Sequence, residues 1–173
     1  MTAHVLETTR LSLRELVPAD LDFLAGLLGD PHVMRFYPKP LTREEAAGWL
    51  ERQRARYAAD GHGLWLVTER ATGKPVGQVG LLMQRVDALR MNPHPEIGYL
   101  LDRTYWGLGY ATEAARGVRD YAATRFGYAA VISLVRPENV PSRAVARRLG
   151  MQVIAEASFA GLPHLIHHVA LRS

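Results

Sequence analysis

Polar and apolar positions alternate at period two in Leu11-Ser12-Leu13-Arg14, which predicts a strand near the start of the chain. Pro18 opens a helix whose apolar spacing runs to Leu28, and Asp30-Pro31 breaks it. Met34-Arg35-Phe36-Tyr37, followed by Pro38 and Pro40, reads as a shaped loop. Thr42 with Glu45 three residues on forms a capping box. It predicts a helix that buries Ala46, Trp49 and Leu50, runs toward Tyr57 and ends at Asp60-Gly61. Leu64–Val67 and Val76–Met83 are expected strands, paired as a hairpin through a turn at Thr72-Gly73, and Asp87–Pro95 is irregular.

The second half is more ordered in pattern. Glu96–Leu101 reads as a strand, Gly107-Leu108-Gly109 as a tight loop, and Ala111–Phe126 as a helix closed by Gly127. Val131–Val135 is another strand. Along the helix, Ala111, Ala114, Ala115, Val118, Ala122 and Phe126 recur at spacings of three and four, a narrow stripe that lets a helix lie close on a sheet. Strand, helix and strand in this order imply a parallel crossover. A short helix, Pro141–Leu149, stops at Gly150, and Gln152–Ala160 and His164–Leu171 carry two final strands. The fold class is α/β: a single mixed sheet with an antiparallel front half and one βαβ crossover carrying the glycine loop.

Composition narrows the picture. The 173 residues are 48% apolar and 22% charged, which fits one domain spanning residues 1–173 with a sizeable core. The absence of cysteine excludes disulfides, thiolate metal sites and a cysteine nucleophile. The longest apolar stretch, Tyr128–Val135, falls far short of a membrane helix, and Glu7 and Arg10 stand where a secretory signal would be basic and then apolar. A cytoplasmic protein without a membrane partner is expected. The net charge is +4, and the basic surplus sits between Arg103 and Arg148, where eight arginines face Glu113, Asp120 and Glu138. Such a local field suits a compact polyanion better than nucleic acid, unless it is only a solvated arginine-rich helix surface.

Gly107-Leu108-Gly109-Tyr110-Ala111-Thr112 lies between a strand and a helix, where successive N–H groups and the helix dipole favour a phosphate. The lysine and spacing of a nucleoside-triphosphate loop are missing, and Thr112 replaces the last glycine of the dinucleotide fingerprint. A packing turn is the competing explanation.

Taken together, Glu96-Ile97-Gly98-Tyr99, Tyr105-Trp106-Gly107-Leu108-Gly109-Tyr110-Ala111-Thr112-Glu113-Ala114, Asn139-Val140-Pro141-Ser142 and Arg148-Leu149-Gly150-Met151 resemble the GCN5-related N-acetyltransferases (GNAT). Within them the chain resembles the ribosomal-protein N-terminal acetyltransferases (RimJ/RimL-like), and the likeness includes the opening Thr8-Thr9-Arg10-Leu11-Ser12-Leu13-Arg14. The resemblance implies the GNAT fold, with helices on both faces of the sheet, and acetyl-CoA as co-substrate without a metal. It places the pyrophosphate on Gly107, Leu108, Gly109, Tyr110, Ala111 and Thr112, and the pantetheine arm along Gly98, Tyr99 and Leu100. Asn139 and Ser142 would meet the pantetheine region, and Arg143, Arg147 or Arg148 the nucleotide phosphates. The chain departs from the family at Trp106, where glutamine or arginine is usual, at Leu108, often basic, and at Ala146, where many members carry a tyrosine acid.

Acetyl transfer to an amine needs a base, oxyanion support and an acid for the leaving thiolate. Glu96 is the candidate base, unless it is an ordinary strand-edge carboxylate. The resemblance assigns oxyanion support to a backbone N–H near Tyr99 and, with Ala146 in the tyrosine position, the acid role to Ser142, for which a helix-capping serine is the competing explanation. His164, His167 and His168 alternate in facing and are read as surface histidines, not metal ligands. His94 is read as a loop histidine, Trp65 as core, and Phe36 and Tyr37 as candidate walls of the acceptor pocket. The expected activity is acetyl transfer to a primary amine by direct attack in a ternary complex. A protein N-terminus, a small-molecule amine and a non-catalytic acyl-CoA sensor stay open, as does a homodimer.

Overall fold

The computed structural model describes residues 3–172. Eight strands form one sheet: β1 (His4–Glu7), β2 (Leu11–Arg14), β3 (Leu64–Glu69), β4 (Pro75–Gln84), β5 (His94–Leu101), β6 (Ala130–Val135), β7 (Gln152–Phe159) and β8 (Leu162–Ala170). Their order is β1-β2-β3-β4-β5-β6-β8-β7, and every neighbouring pair is antiparallel except β5 with β6. Four helices cover it, α1 (Leu21–Gly29), α2 (Arg43–Asp60), α3 (Tyr110–Phe126) and α4 (Val140–Arg148).

Strand alternation divides the core between the two faces. Leu11, Leu13, Trp65, Val67, Val79, Ile97 and Leu101 point to the α3/α4 face, and Leu66 and Leu100 point to α1 and α2. Trp65 is core, 1% exposed. The small stripe of α3 packs as its spacing predicts: Ala114, Ala115, Val118 and Ala122 are fully buried against the sheet. The Thr42 hydroxyl accepts the Glu45 N–H at the start of α2, and Gly61 closes it in the left-handed region with φ of 77°.

Three local readings are corrected, and one further strand, β1, is added. The helix expected from Pro18 begins as a 3-10 turn, Pro18–Asp20, and α1 proper starts at Leu21. β5 starts two residues earlier, at His94, because it pairs with β4 as far as Gln84. β7 and β8 meet through Ala160-Gly161, both at positive φ, so β8 starts at Leu162.

Candidate functional site

The parallel pair β5–β6 holds together at one position, Glu96 opposite Ile132, and the strands diverge beyond it. Side chains satisfy the first opened rung. The Ser133 hydroxyl donates to the Ile97 carbonyl at 2.8 Å, and the Leu134 N–H donates to Glu96 Oε1 at 3.4 Å. Backbone groups alternate along a strand, and Ile97 presents its carbonyl to β6, so Tyr99 presents its N–H and C=O to the same side. Gly98 and Leu100 point the other way, toward their partners Gly80 and Gln78 on β4. Of the three residues placed along the pantetheine arm, only Tyr99 therefore turns its main chain into the slot.

Glu96 stands at the apex of this slot and is 8% exposed. Burial pushes its carboxyl up to about 7, against the opposing pull of Gln84, the Leu134 N–H and the Arg56 charge. Its burial inside the sheet sets it apart from an exposed strand-edge carboxylate. Tyr37, in the loop between α1 and α2, keeps 40% of its surface open, yet its phenol is crowded by protein. Burial and the Glu96 charge push it up to about 12. Burial also raises the Tyr99 phenol, and its hydroxyl donates to the Ser142 carbonyl at 2.7 Å, tying β5 to the first turn of α4.

At the other end of the slot, Gly107 and Gly109 adopt φ of 76° and 80°, and α3 starts at Tyr110. The first intrahelical bond runs from the Glu113 N–H to the Gly109 carbonyl, so the N–H groups of Tyr110, Ala111 and Thr112 have no helical acceptor. The Trp106 indole anchors the loop by donating to the Leu101 carbonyl at 2.9 Å. The Tyr110 side chain is not part of the cradle. It is 7% exposed, stacks on Tyr105 and donates to Glu69, leaving only its backbone at the loop.

On α4, the cap is Asn139, whose Oδ1 accepts the Ser142 N–H at 3.2 Å. Ser142 sits three residues inside, so the capping explanation of this serine is replaced. Arg143 and Arg147 line a hollow of about 260 Å³ with Met151, Gln152, Val153 and His167. Arg148 gives its carbonyl to Arg116 of α3. His167 is 2% exposed beneath α4, which corrects the surface reading, and burial and then the two arginines lower its imidazole. His94 Nε2 donates to the Arg90 carbonyl, 2.8 Å away. Among the described residues, no cluster of potential ligands could hold a metal, and no helix is long and apolar enough to cross a membrane. A second hollow, about 390 Å³, lies beside Gly161 and Pro163. Neither hollow includes Glu96 or the glycine loop.

A strand pair opened at an acidic apex, leading to a glycine loop at a helix start, makes an elongated slot with free N–H groups at one end. The family profile described as an acetyltransferase (GNAT) domain matches residues 10–152. The chain is 33% identical to the Bacillus subtilis protein YkkB over 147 residues, 84% of each chain. Its fold is similar to the crystal structure of an acetyltransferase from Agrobacterium tumefaciens, with a TM-score of 0.81, 28% identity, and coverage of 98% of this chain and 95% of that one. It is also similar in fold to RimL, the ribosomal L7/L12 alpha-N-protein acetyltransferase in complex with coenzyme A. There the TM-score is 0.74 at 18% identity, over 98% and 97% of the two chains. The chain belongs to the GNAT family and is an N-acetyltransferase.

Proposed function

We propose that the chain transfers the acetyl group of acetyl-CoA to a primary amine by direct attack, without an acyl-enzyme. The observation that supports it best is Glu96 at the apex of the β5–β6 slot, buried and pushed up to about 7. Acetyl-CoA supplies a thioester whose carbonyl carbon is attacked and whose thiolate leaves. The three free N–H groups at the start of α3 and the loop amides of Leu108 and Gly109 suit its pyrophosphate, and the Tyr99 C=O suits an amide N–H of the pantetheine arm. The Tyr99 N–H is the donor to the thioester oxygen as charge develops there.

Glu96 accepts the proton of the ammonium, directly or through a water, so the nitrogen lone pair can form the bond to carbon. As the carbon–sulfur bond breaks, the nitrogen gives up its second proton to solvent, and the Ser142 hydroxyl donates its proton to the thiolate and is reprotonated from solvent. Tyr37 borders Glu96 from the acceptor side. Asn139 is left with its side-chain amide N–H groups for the pantetheine region, and no phosphate contact is assigned to Arg143, Arg147 or Arg148. RimL acts, by its description, on the α-amine of a ribosomal protein, and an N-terminal protein amine is the acceptor we propose here.

The test is thiol release from acetyl-CoA with a panel of N-terminal peptides, polyamines, amino acids and aminoglycosides. Peptide-dependent release supports the proposal. Release with a small amine alone replaces the acceptor, and tight CoA binding with no amine-dependent thiol replaces catalysis by sensing.

A further inference from the structure

The loop of this chain lacks a basic side chain at Leu108, and the geometry assigns a substitute from the opposite end of the sequence. Thr8 and Arg10 belong to the tight connection between β1 and β2, where the Thr8 N–H bonds the Leu11 carbonyl at 2.9 Å and Arg70 holds the Thr8 carbonyl at 2.9 Å. From this fixed turn the Arg10 guanidinium reaches α3. Its Nε donates to Glu113 Oε2 at 2.6 Å, and its Nη1 donates to the Leu108 carbonyl at 2.9 Å. The guanidinium lies 4.4 Å from the centre of the Tyr110 ring. Its Nη2 has no hydrogen bond among the described residues and lies 3.4 Å from where a Cβ on Gly109 would stand.

We infer that Arg10 is the positioning residue of the pyrophosphate loop, holding Leu108 and Gly109 in place while cancelling the Glu113 carboxylate beside the free amides. The inference rests on acetyl-CoA binding at that loop. Two things follow from the contacts. The Leu108 carbonyl, held by Nη1, is kept from turning toward an incoming anion. Glu113 also accepts from the Arg10 N–H at 2.8 Å and the Thr8 hydroxyl at 2.6 Å, so it stays ionised in the first turn of α3, only 18% exposed. An unneutralised carboxylate there would oppose a diphosphate across a few ångströms. Arg10 keeps 44% of its side chain exposed, with Nη2 beside Gly109.

The test is the affinity for CoA, measured calorimetrically on the wild type, Arg10→Ala, Arg10→Lys, Glu113→Gln and the Arg10→Ala/Glu113→Gln pair. Wild-type protein that fails to bind CoA overturns the reading of the loop itself. With wild-type binding intact, Arg10→Ala is expected to weaken CoA about tenfold and Arg10→Lys about threefold. Adding Glu113→Gln to Arg10→Ala is expected to recover about threefold, whereas Glu113→Gln alone gains nothing. That reversal separates charge cancellation from scaffolding, because a merely structural pair loses more with each substitution. Arg10→Ala within twofold of wild type, or a double variant no tighter than Arg10→Ala, overturns the inference. Should Arg10→Ala not fold, Arg10→Gln replaces it in both comparisons.

Discussion

The Tyr99 hydroxyl donates to the Ser142 carbonyl at 2.7 Å, so the strand that offers its backbone to the donor is fastened to the helix that carries the candidate acid. Tyr99→Phe keeps the ring and removes this bond. We expect a stability loss of about 1 kcal/mol and a severalfold rise in KM for acetyl-CoA, with kcat changed less, because positioning is lost before chemistry. Melting curves and steady-state kinetics check both parts.

Glu96 gives a pH signature. With its carboxyl pushed up to about 7, kcat/KM is expected to rise through pH 7 and level off above it. Glu96→Gln should remove that limb and lower kcat by about 10²–10⁴-fold. The linkage has the opposite sign: a raised carboxyl stabilises the fold while protonated, and that contribution is lost as pH rises from the usual carboxylate range through about 7. Glu96→Gln should therefore melt higher than wild type at pH 8–9 and close to it at pH 5.

Because Asn139 and not Ser142 caps α4, acid and cap can be separated. Asn139→Ala should cost about 0.5–2 kcal/mol of stability. Ser142→Ala should cost little stability but lower kcat about 10²-fold or more, with KM for acetyl-CoA nearly unchanged. A Ser142→Ala enzyme within threefold of wild type in kcat removes the acid role.

Gly109 sits at φ of 80°, where side chains are strained, and an added Cβ would meet Arg10 Nη2 at 3.4 Å. Gly109→Val should weaken CoA by at least tenfold, as measured by titration of the folded variant. Equal affinity would place the pyrophosphate elsewhere.

His62 is fully buried, with Nδ1 3.0 Å from the Leu81 carbonyl and Nε2 2.7 Å from the Tyr128 hydroxyl, and burial lowers its imidazole below the usual histidine range. A depressed imidazole stabilises the fold at neutral pH, and this contribution is lost as pH falls from about 6.5 through the folded value. His62→Gln, an uncharged amide in the same place, should flatten the drop in melting temperature between pH 7 and pH 5.

What could be read from the sequence follows from range. The glycine turn before α3, the α3 stripe and the body of the strand that carries Glu96 depend on neighbours within a turn or two, and their residue types show it. β1 is four residues with two adjacent apolar positions, Val5 and Leu6, and carries no alternation to read. Asn139 and Ser142 are both good caps, and only the start of the helix at Val140 decides between them. His167 becomes buried because α4 folds over it, which no local pattern announces. Arg10 and Leu108 meet across 98 positions, so nothing local in the sequence joins the arginine to the glycine loop.

A sheet normally hides its unpaired edges at the perimeter, where charge or a covering loop protects them. Here, past Glu96 and Ile132, two such edges face each other in the middle of the molecule. The two halves of the sheet are joined by one backbone rung, the Ser133–Ile97 and Leu134–Glu96 bonds and the helices above and below. The two halves of the sheet are thus like plates joined along a short seam, and a ligand that enters the seam can complete the missing ladder. Amide hydrogen exchange along β5 and β6 should slow on ligand binding well beyond the residues in direct contact, because closing the seam couples plates that otherwise open separately.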